Sequence, residues 1–427
     1  MEYLLFAGFL VLFAWLVTQI KFFTKSGLTP AQLIIIFLLK VMAGIFYGWI
    51  GVYYGELAQM VDTWAYHYES LKSYEILLKD PSNFFPSLFH NPYEQGFTRF
   101  LSSNDSWWND LKGNFLLMIL SFFNLFSFGH YYINVIFYSF LSFFGPVAIY
   151  RVMRDVFPAQ RLAVLIASFL IPSFIYWTSG IHKEGLIFIG LSLAVYHIYF
   201  GLKESRFPLY RVLLILFGML LVLALRNFLI ITLIPALIAW ILAQKTRYKP
   251  LLVFSGLYLF FVVLFFTARY IHPALDFPDA VVVKRGEFLA LHGTSSIVLP
   301  QLEPTIKSFI INTPQAFTLA AIRPYPADVH HLLSLAAAIE INLLLLLFVL
   351  FLLLRKNLTF WTPFLWFGVF LAVSILFMIG YTVNNLGAIV RYRSIILPFL
   401  FVPIIALIDW QRISALLLGD IRTKNNV

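Results

Sequence analysis

The chain has 427 residues, of which 61% are hydrophobic and only 12% are charged. A soluble domain carries about 25% charged residues, so this composition excludes a soluble enzyme and predicts a protein that lies largely in lipid. The formal net charge is +10 and there is no cysteine, which excludes disulfides, thiol nucleophiles and iron–sulfur clusters. The positive charge does not call for a nucleic acid partner, because basic loops on the cytoplasmic side of a membrane account for it.

Long apolar runs predict an all-α polytopic membrane protein, since a helix needs about 20 apolar residues to cross a bilayer. We interpret residues 1–427 as a single transmembrane domain whose first run is a retained span and not a signal peptide. The eleven predicted spans are 2–22, 31–54, 131–150, 160–178, 183–201, 210–225, 228–243, 250–268, 333–354, 359–380 and 389–409.

The charges between the spans predict the orientation of the chain. Every second loop is strongly basic, for example 245–249 and 151–161, whereas the loops between them hold most of the acidic residues. Positive loops face the cytoplasm, so we expect the acidic loops on the opposite side. This predicts two large extracytoplasmic loops, 55–130 with interfacial helices and 269–332. The short apolar segment 114–128 is predicted to be interfacial or re-entrant and not a span.

The first of these loops contains a candidate catalytic carboxylate. Glu56, Asp62 and Glu69 lie just after the second span, and a helix from residue 62 would place Asp62, Tyr66 and Glu69 on one face. A carboxylate there could accept a proton from a hydroxyl or hold a divalent cation. The alternative is a solvated acidic loop with interfacial aromatic residues.

The turn between the fourth and fifth spans places charged residues at the edge of the bilayer. Ser179 is a candidate N-cap, and His182, Lys183 and Glu184 would occupy the first turn of the following helix. A lysine in a first turn opposes the helix dipole, which favours an anion bound at the exposed backbone N–H groups. The alternative is an ion pair between Lys183 and an acidic neighbour.

Three further cations stand on the acid-rich side, where positively charged residues are disfavoured. Arg226 lies in a tight turn, and Arg391 and Arg393 lie near the predicted N-terminus of the last span. Arg391 and Arg393 should point in nearly opposite directions on a helix. A bound phosphate or a buried carboxylate would offset the free-energy cost of placing these cations on the acid-rich side. We therefore expect Lys183, Arg226 and either Arg391 or Arg393 to share a cavity with Asp62. The alternative is that each reaches lipid headgroups separately.

The second large loop carries a weaker signal. Arg323, Asp328, His330 and His331 cluster just before the ninth span. Adjacent histidines point apart on a helix, so they form a poor metal-binding pattern. A loop that covers a substrate groove explains the proline content equally well.

Several of these motifs resemble those of the GT-C superfamily of membrane glycosyltransferases. They are an acid followed by aromatic residues (Asp62-Thr-Trp-Ala-Tyr66) in the first large loop and a late Arg391-Tyr392-Arg393 turn before a span with Pro398. The chain also resembles a Bacteroidetes-type group of polytopic membrane proteins that share a Ser-Gly-Ile-x-Lys-acid turn, here Ser179 to Glu184, and a Leu-Glu-Pro loop, here Leu302 to Pro304.

This resemblance implies a multi-pass protein of the bacterial inner membrane, surrounded by membrane lipids, whose active site faces the periplasm. It implies sugar transfer from a polyprenyl-phosphate-linked donor to a glycan, lipid or protein acceptor. Asp62 would be the general base, with Glu56 and Glu69 as the other candidates. The candidate substrate- and phosphate-binding residues are Tyr66, His182, Lys183, Glu184, Arg226, Arg323, Arg391 and Arg393.

Two other functions remain open from the sequence. A polysaccharide polymerase of the O-antigen or exopolysaccharide type would use the same class of donor with a longer glycan. A lipid or glycan transporter or flippase would place its polar groups near the midplane of the bilayer, whereas the charges here lie at the outer edge.

Overall fold

A computed structural model describes residues 1–53, 62–93, 100, 106–291, 295–356 and 361–418. Within these ranges the chain is helical and contains no β-strand, as predicted. The α-helices are α1 (Glu2–Gln19), α2 (Lys21–Thr24), α3 (Pro30–Tyr53), α4 (Asp62–Lys79), α5 (Pro81–Phe89), α6 (Trp107–Ser127), α7 (Tyr131–Val156), α8 (Arg161–Phe169), α9 (Pro172–Ser179), α10 (Lys183–Lys203), α11 (Leu209–Leu225), α12 (Asn227–Lys245), α13 (Pro250–Thr267), α14 (Phe277–Leu289), α15 (Ile306–Ala321), α16 (Leu332–Leu354), α17 (Pro363–Thr382), α18 (Leu386–Ser394), α19 (Leu397–Leu407) and α20 (Trp410–Leu418).

The long apolar helices confirm a multi-pass membrane protein. In the described part of the chain, eight helices are long and apolar enough to cross a membrane, or ten if each of two bent pairs is one span. The eight overlap eight of the eleven predicted spans. The predicted span 210–225 corresponds to α11, which is apolar but has only 17 residues.

Two predicted spans, 160–178 and 389–409, are not the continuous helices that hydropathy indicates. The axes of α8 and α9 meet at 49°, and those of α18 and α19 at 67°. Pro172 and Pro398 stand in the first turn of the second helix of each pair. Proline lacks an N–H and its ring clashes with the carbonyl four residues earlier, so it favours the first turn of a helix and disfavours a regular helix through the residues before it. The short helix α18 is a consequence of this break.

The described residues of the first large loop form three helices, α4, α5 and α6. Helix α6 covers residues 114–127 of the predicted segment 114–128 but begins earlier, and it is not among the helices apolar enough to span. Its buried side carries Asn124, whose Nδ2 donates to Ser70 Oγ at 3.1 Å and whose Oδ1 accepts from Asn134 Nδ2 at 2.7 Å. Since buried polar groups need such partners, these bonds fix α4 against α6 and α7.

Helix α10 occupies the centre of the fold and determines where the site lies. Nearly all of its residues from Glu184 to Ile198 are buried. It crosses α11 at Gly190 and Gly218, where an added Cβ on either would lie within 2.7 Å of the other's carbonyl oxygen. Small residues allow such close helix contact in membranes. The N-terminus of α10 is thereby held among α4, α9 and α18.

The second large loop packs onto the helices that follow it. Gly380 in α17 touches α15 so closely that a Cβ there would lie 1.9 Å from the carbonyl oxygen of Ala316. Arg285 of α14 is buried and donates to the carbonyl oxygens of Pro300 and Tyr381. These contacts fix α14 and α15 near α18, so the loop forms one wall of the site.

Candidate functional site

Asp62 is the first residue of α4, and its carboxylate is half exposed, at 50%. Its Oδ2 lies 3.0 Å from Nη1 of Arg391 and 3.4 Å from Nε2 of His182. Burial raises the pKa of Asp62, but the hydrogen bond and charge of His182 and the charge of Arg391 outweigh it and hold the pKa well below its usual range. Asp62 is therefore ionised at physiological pH.

His182 connects Asp62 to a second carboxylate. Its Nδ1 donates to Oε2 of Glu184, while its Nε2 lies 3.3 Å from Nη1 of Arg391. The imidazole therefore lies between two carboxylates, with Nδ1 toward Glu184 and Nε2 toward Asp62. The hydroxyl of Tyr138 donates to the carbonyl of His182 and fixes the backbone.

The predicted N-cap of α10 is wrong. His182 holds the N-cap position, and Ser179 is instead the last residue of α9. The Oγ of Ser179 accepts a hydrogen bond from Nζ of Lys40 at 3.1 Å. Its hydroxyl is therefore engaged by a lysine of α3.

Glu184 is the centre of the charge network and is fully buried. Its Oε1 accepts from Nη2 of Arg226 at 2.5 Å and lies 3.6 Å from Nε of Arg391. A buried carboxylate persists only when its charge is paired and hydrogen-bonded. Arg226 is itself buried, so it binds a carboxylate and does not reach lipid headgroups.

Arg391 and Arg393 point in different directions, as predicted, but their position in a helix differs from the prediction. Both lie in the last turn of α18, where the helix dipole favours cations. Arg391 faces the acidic site and lies 5.1 Å from the ring of Tyr392. Arg393 is buried and donates to the carbonyl oxygens of Ala320, at 3.2 Å, and Arg323, at 2.5 Å. Only Arg391 belongs to the site.

Tyr66 and Lys183 extend the site away from Asp62. The Nζ of Lys183 lies 5.3 Å from the centre of the Tyr66 ring, and that ring is 5.9 Å from the imidazole of His182. Burial raises the pKa of Tyr66, so its phenol stays protonated. In the described part of the chain Lys183 has no hydrogen-bond or ion-pair partner, so the alternative of an ion pair between Lys183 and an acidic neighbour such as Glu184 is not seen there.

Two predicted site residues lie elsewhere, and a third lies outside the described residues. Glu69 pairs with Lys72 at 2.6 Å on the exposed surface of α4. It shares a face with Asp62, but the helix rise of about 1.5 Å per residue moves it roughly 10 Å along the axis. The Nε of Arg323 lies 3.4 Å from Oδ2 of Asp328. Glu56 falls among the residues that the structure does not describe.

Asp62 and Arg391 face a cavity of about 670 Å³ that is lined mainly by apolar and aromatic side chains. It lies between α3, α9, α14, α16 and α18, and His331 and Glu340 contribute further polar groups to its wall. Lys183, Arg226 and Arg393 are not among its described lining residues. The prediction of a cavity shared with Asp62 is therefore confirmed for Arg391 and wrong for Lys183 and Arg226. Arg226 reaches the site through its ion pair with the buried carboxylate of Glu184.

Two buried charges beside the site were missed at the sequence level. Glu340, in α16, accepts from Ser173 N at 2.5 Å and from Ser173 Oγ at 2.6 Å. Lys40, in α3, donates to the carbonyl oxygen of Thr178 at 2.7 Å. A single charged residue inside an apolar run was the available signal, because such residues in spans face the protein interior and carry function or structure. Both fix α9 against its neighbours.

A divalent cation does not fit the described residues of this site. In that part of the chain no three carboxylate or imidazole side chains are arranged to hold a metal ion. Arg391 also occupies one oxygen of Asp62. We therefore derive no step through a metal.

Comparisons with known proteins leave the family of the chain open. A scan against protein-family models, a search of curated proteins and a search of solved structures found no match to this chain.

Proposed function

We propose that this protein is a membrane glycosyltransferase that transfers a sugar from a polyprenyl-phosphate-linked donor to a hydroxyl of an extracytoplasmic acceptor. The observation that carries the proposal is that Asp62 and Arg391 face one large, mainly apolar cavity. Its volume of about 670 Å³ falls within the range of about 300–1,000 Å³ that small-ligand sites occupy. A carboxylate can accept the proton of an acceptor hydroxyl, a guanidinium can bind a phosphate, and an apolar cavity can hold a lipid tail.

In the proposed reaction Asp62 acts as the general base. It takes the proton of the acceptor hydroxyl while the acceptor oxygen forms a bond to the anomeric carbon of the sugar. The bond between that carbon and the phosphate oxygen breaks, and the polyprenyl phosphate leaves with the electron pair. Direct displacement of this kind inverts the configuration at the sugar carbon.

Arg391 would bind the phosphate and also regulate the basicity of Asp62. In the structure the guanidinium is bound to the Asp62 carboxylate and helps to hold its pKa low, which makes the carboxylate a weak base. A donor phosphate would compete for Arg391, because guanidinium groups bind phosphate through paired hydrogen bonds. Loss of that contact raises the pKa of Asp62 and strengthens the base when substrate is present.

His182 and Glu184 would act as positioning residues. Glu184 holds Arg391 and Arg226 by charge and orients the imidazole of His182. The imidazole in turn contacts both Asp62 and Arg391. A rigid set of this kind keeps the base and the phosphate-binding group at a fixed separation.

The experiment uses the purified full chain in lipid nanodiscs. A panel of polyprenyl-phosphate donors with radiolabelled sugars is supplied with a cell-envelope acceptor fraction, and sugar transfer is measured. We expect Asp62→Asn to lower transfer about 10²–10⁴-fold, the usual effect of losing a general base. Glu69→Gln is the matched control, since it makes the same charge change on the exposed side of the same helix. No transfer by the wild-type chain from any donor, or a near-normal rate for Asp62→Asn, would contradict the proposal.

A further inference from the structure

The wall of the cavity that Asp62 and Arg391 face carries a second polar surface, which the proposed base and phosphate do not use. It consists of Ser295, Asn384 and Asn385, and we call it the asparagine patch. Ser295 belongs to the second large loop, and the two asparagines connect α17 to α18. Oγ of Ser295 donates to Oδ1 of Asn385 at 3.2 Å. A shared cavity and a direct hydrogen bond therefore join these residues.

Backbone hydrogen bonds fix the patch in position. The N–H of Ile297 donates to the carbonyl of Asn384 at 2.8 Å, and the N–H of Leu386 donates to the carbonyl of Ser295 at 3.1 Å. This short antiparallel pairing ties the second large loop to the turn before α18. Because the backbone groups bond to one another, the side chain of Asn384 is not needed to hold this turn.

The patch offers hydrogen-bonding groups that the described residues do not use. Asn384 is only 4% exposed, yet its side-chain amide has no hydrogen-bond partner in the described part of the chain. Oδ1 of Asn385 caps α18 by accepting from the N–H of Ala388 at 3.1 Å, whereas its Nδ2 has no partner among the described residues. A side-chain amide carries two N–H donors and an oxygen with two lone pairs. Because buried polar groups without partners are costly, these amides are suited to a ligand with several hydroxyl groups.

Helix α18 relates the patch to the proposed phosphate site. Asn385 holds the N-cap of α18 and Arg391 lies in its last turn, so the helix rise separates the two by roughly 9 Å along the axis. The ring of Trp177 also lines the cavity and lies 5.6 Å from the guanidinium carbon of Arg391. A sugar ring has hydroxyl groups at its edge and apolar C–H faces that pack on aromatic rings. A sugar attached to a phosphate at Arg391 would therefore lie within reach of both Trp177 and the patch.

The charges of the cavity favour a sugar without an acidic group. Among the described lining residues Arg391 is the one lysine or arginine, and in the proposed reaction it binds the phosphate. Nδ1 of His331 accepts from the N–H of Ser334 at 3.3 Å, and burial lowers the pKa of this histidine, so the imidazole is neutral at physiological pH. The acidic lining residues are Asp62 and Glu340. A uronic acid would therefore bury its carboxylate without a cationic partner, which is unfavourable.

We propose that Asn384 and Asn385, with Ser295, bind the hydroxyl groups of an uncharged pyranose sugar. The inference rests on the proposed function for the role of this sugar, which would be the group that is transferred. The amides would bond to the ring hydroxyls while Arg391 binds the phosphate, and so they would hold the anomeric carbon near Asp62. A site that hydrogen-bonds a hydroxyl group also rejects analogues that lack it. The inference narrows the donor to neutral sugars such as hexoses and their N-acetyl derivatives.

The binding test is independent of transfer and uses the purified full chain in lipid nanodiscs at neutral pH. Butyl glycosides serve as probes, because they carry a sugar and a short apolar tail but no phosphate. The uncharged glucoside, galactoside, mannoside and N-acetylglucosaminide are compared with butyl glucuronide and butyl galacturonide at matched ionic strength. The readout is the thermal unfolding midpoint across a concentration series. We expect at least one uncharged glycoside to raise the midpoint and the uronides to have little effect.

The inference is overturned if no uncharged glycoside raises the midpoint or if the uronides act like the uncharged glycosides. Variants of one amide then locate the response. Asn384→Ala should weaken the apparent glycoside affinity about tenfold, because hydrogen bonds to the sugar are lost. Its ligand-free midpoint should not fall, since this amide has no partner to lose among the described residues. Asn342→Ala removes an exposed amide of α16 and should leave the affinity unchanged.

Wild-type glycoside affinity in Asn384→Ala would also overturn the inference. If Asn384→Ala does not fold, Asn384→Asp gives the same comparison, because it keeps the shape of the side chain and loses its N–H donors. A weaker affinity in Asn384→Asp supports the inference, and an unchanged affinity overturns it.

A kinetic arm separates this inference from the proposed function. With the donor that the wild type transfers, Asn384→Ala should raise KM about tenfold with kcat nearly unchanged, because the sugar loses the same contact in the ground state and the transition state. Asp62→Asn should instead lower kcat. A chain that binds glycosides but transfers no sugar refutes the proposed function and keeps this site. A chain that transfers sugar with a wild-type KM in Asn384→Ala refutes this site and leaves the proposed function standing.

Discussion

Nη1 of Arg391 donates to Oδ2 of Asp62 at 3.0 Å, although 329 positions of sequence separate the two residues. The contact joins the N-terminus of α4 to the last turn of α18, in the wall of the apolar cavity. An acid and a base in direct contact are each less available for chemistry than when free. We therefore regard the pair as the resting arrangement of a site in which a phosphate displaces the carboxylate.

The two arginines of α18 should respond differently to replacement by lysine. Arg391→Lys keeps the charge but loses the planar fork that binds phosphate, so we expect transfer efficiency to fall about 10–100-fold with a near-normal thermal midpoint. Arg393→Lys loses contacts with two buried carbonyl groups, so we expect a loss of about 1–3 kcal/mol in stability and little change in the transfer rate of the folded protein. Steady-state kinetics and thermal unfolding of both variants check this. Equal kinetic effects would show that Arg393 also serves the reaction.

Replacing His182 should move the pH dependence of transfer. The hydrogen bond and charge of His182 lower the pKa of Asp62, so His182→Gln should raise it. The acid limb of the profile of kcat/KM against pH should then shift to higher pH. His90→Gln, an exposed histidine of the same loop, is the control. An unchanged acid limb in His182→Gln would mean that Asp62 does not limit the rate at low pH.

Lys112 should make the stability of the ligand-free protein depend on pH. Its pKa is about 7 in the folded protein, against the ordinary lysine value of 10.5 that applies in the unfolded chain. Between these two values the unfolded chain holds a proton that the folded chain lacks. Stability therefore increases as pH rises through this interval. The neighbouring Lys284, Lys183, Arg226 and Glu287 remain when Lys112→Met is made.

The measurement is the difference in thermal midpoint between wild type and Lys112→Met from pH 7 to pH 9. The variant should be more stable than the wild type at pH 7, and the difference should shrink toward pH 9. Parallel curves would show that Lys112 titrates normally in the folded protein.

Cysteine labelling can test the predicted orientation, since the chain contains no cysteine. Ser82→Cys and Lys307→Cys lie at exposed positions of the two large loops, and Thr246→Cys lies in an exposed basic turn. An impermeant maleimide should label the first two in cells with a permeabilised outer membrane. Thr246→Cys should react only after the inner membrane is opened. Labelling of only one loop position would mean that α6 crosses the membrane.

Local sequence patterns were sufficient to predict the class of fold and to identify several residues of the candidate site. Hydropathy depends on runs of neighbouring residues, so it located the long helices of a multi-pass protein. Charges in unfavourable places identified Arg226 and Arg391, because a cation between two apolar runs, away from the basic loops, requires a partner wherever the chain folds. The same argument selected Arg393, which is buried against backbone carbonyls instead.

The pairing of these groups was decided only by the tertiary structure. Glu184 was one of several acidic candidates until packing of α10 buried it between Arg226, Arg391 and His182. Lys112 was not a candidate from the sequence, and only the packing of α6 near α10 and α14 brought three other cations near it. Hydropathy and spacing describe the face that a helix buries, whereas the charges that meet across hundreds of residues depend on how helices cross and where prolines bend them. For this reason the sequence by itself determined the membrane fold and the candidate groups, and the packing determined which of them form a site.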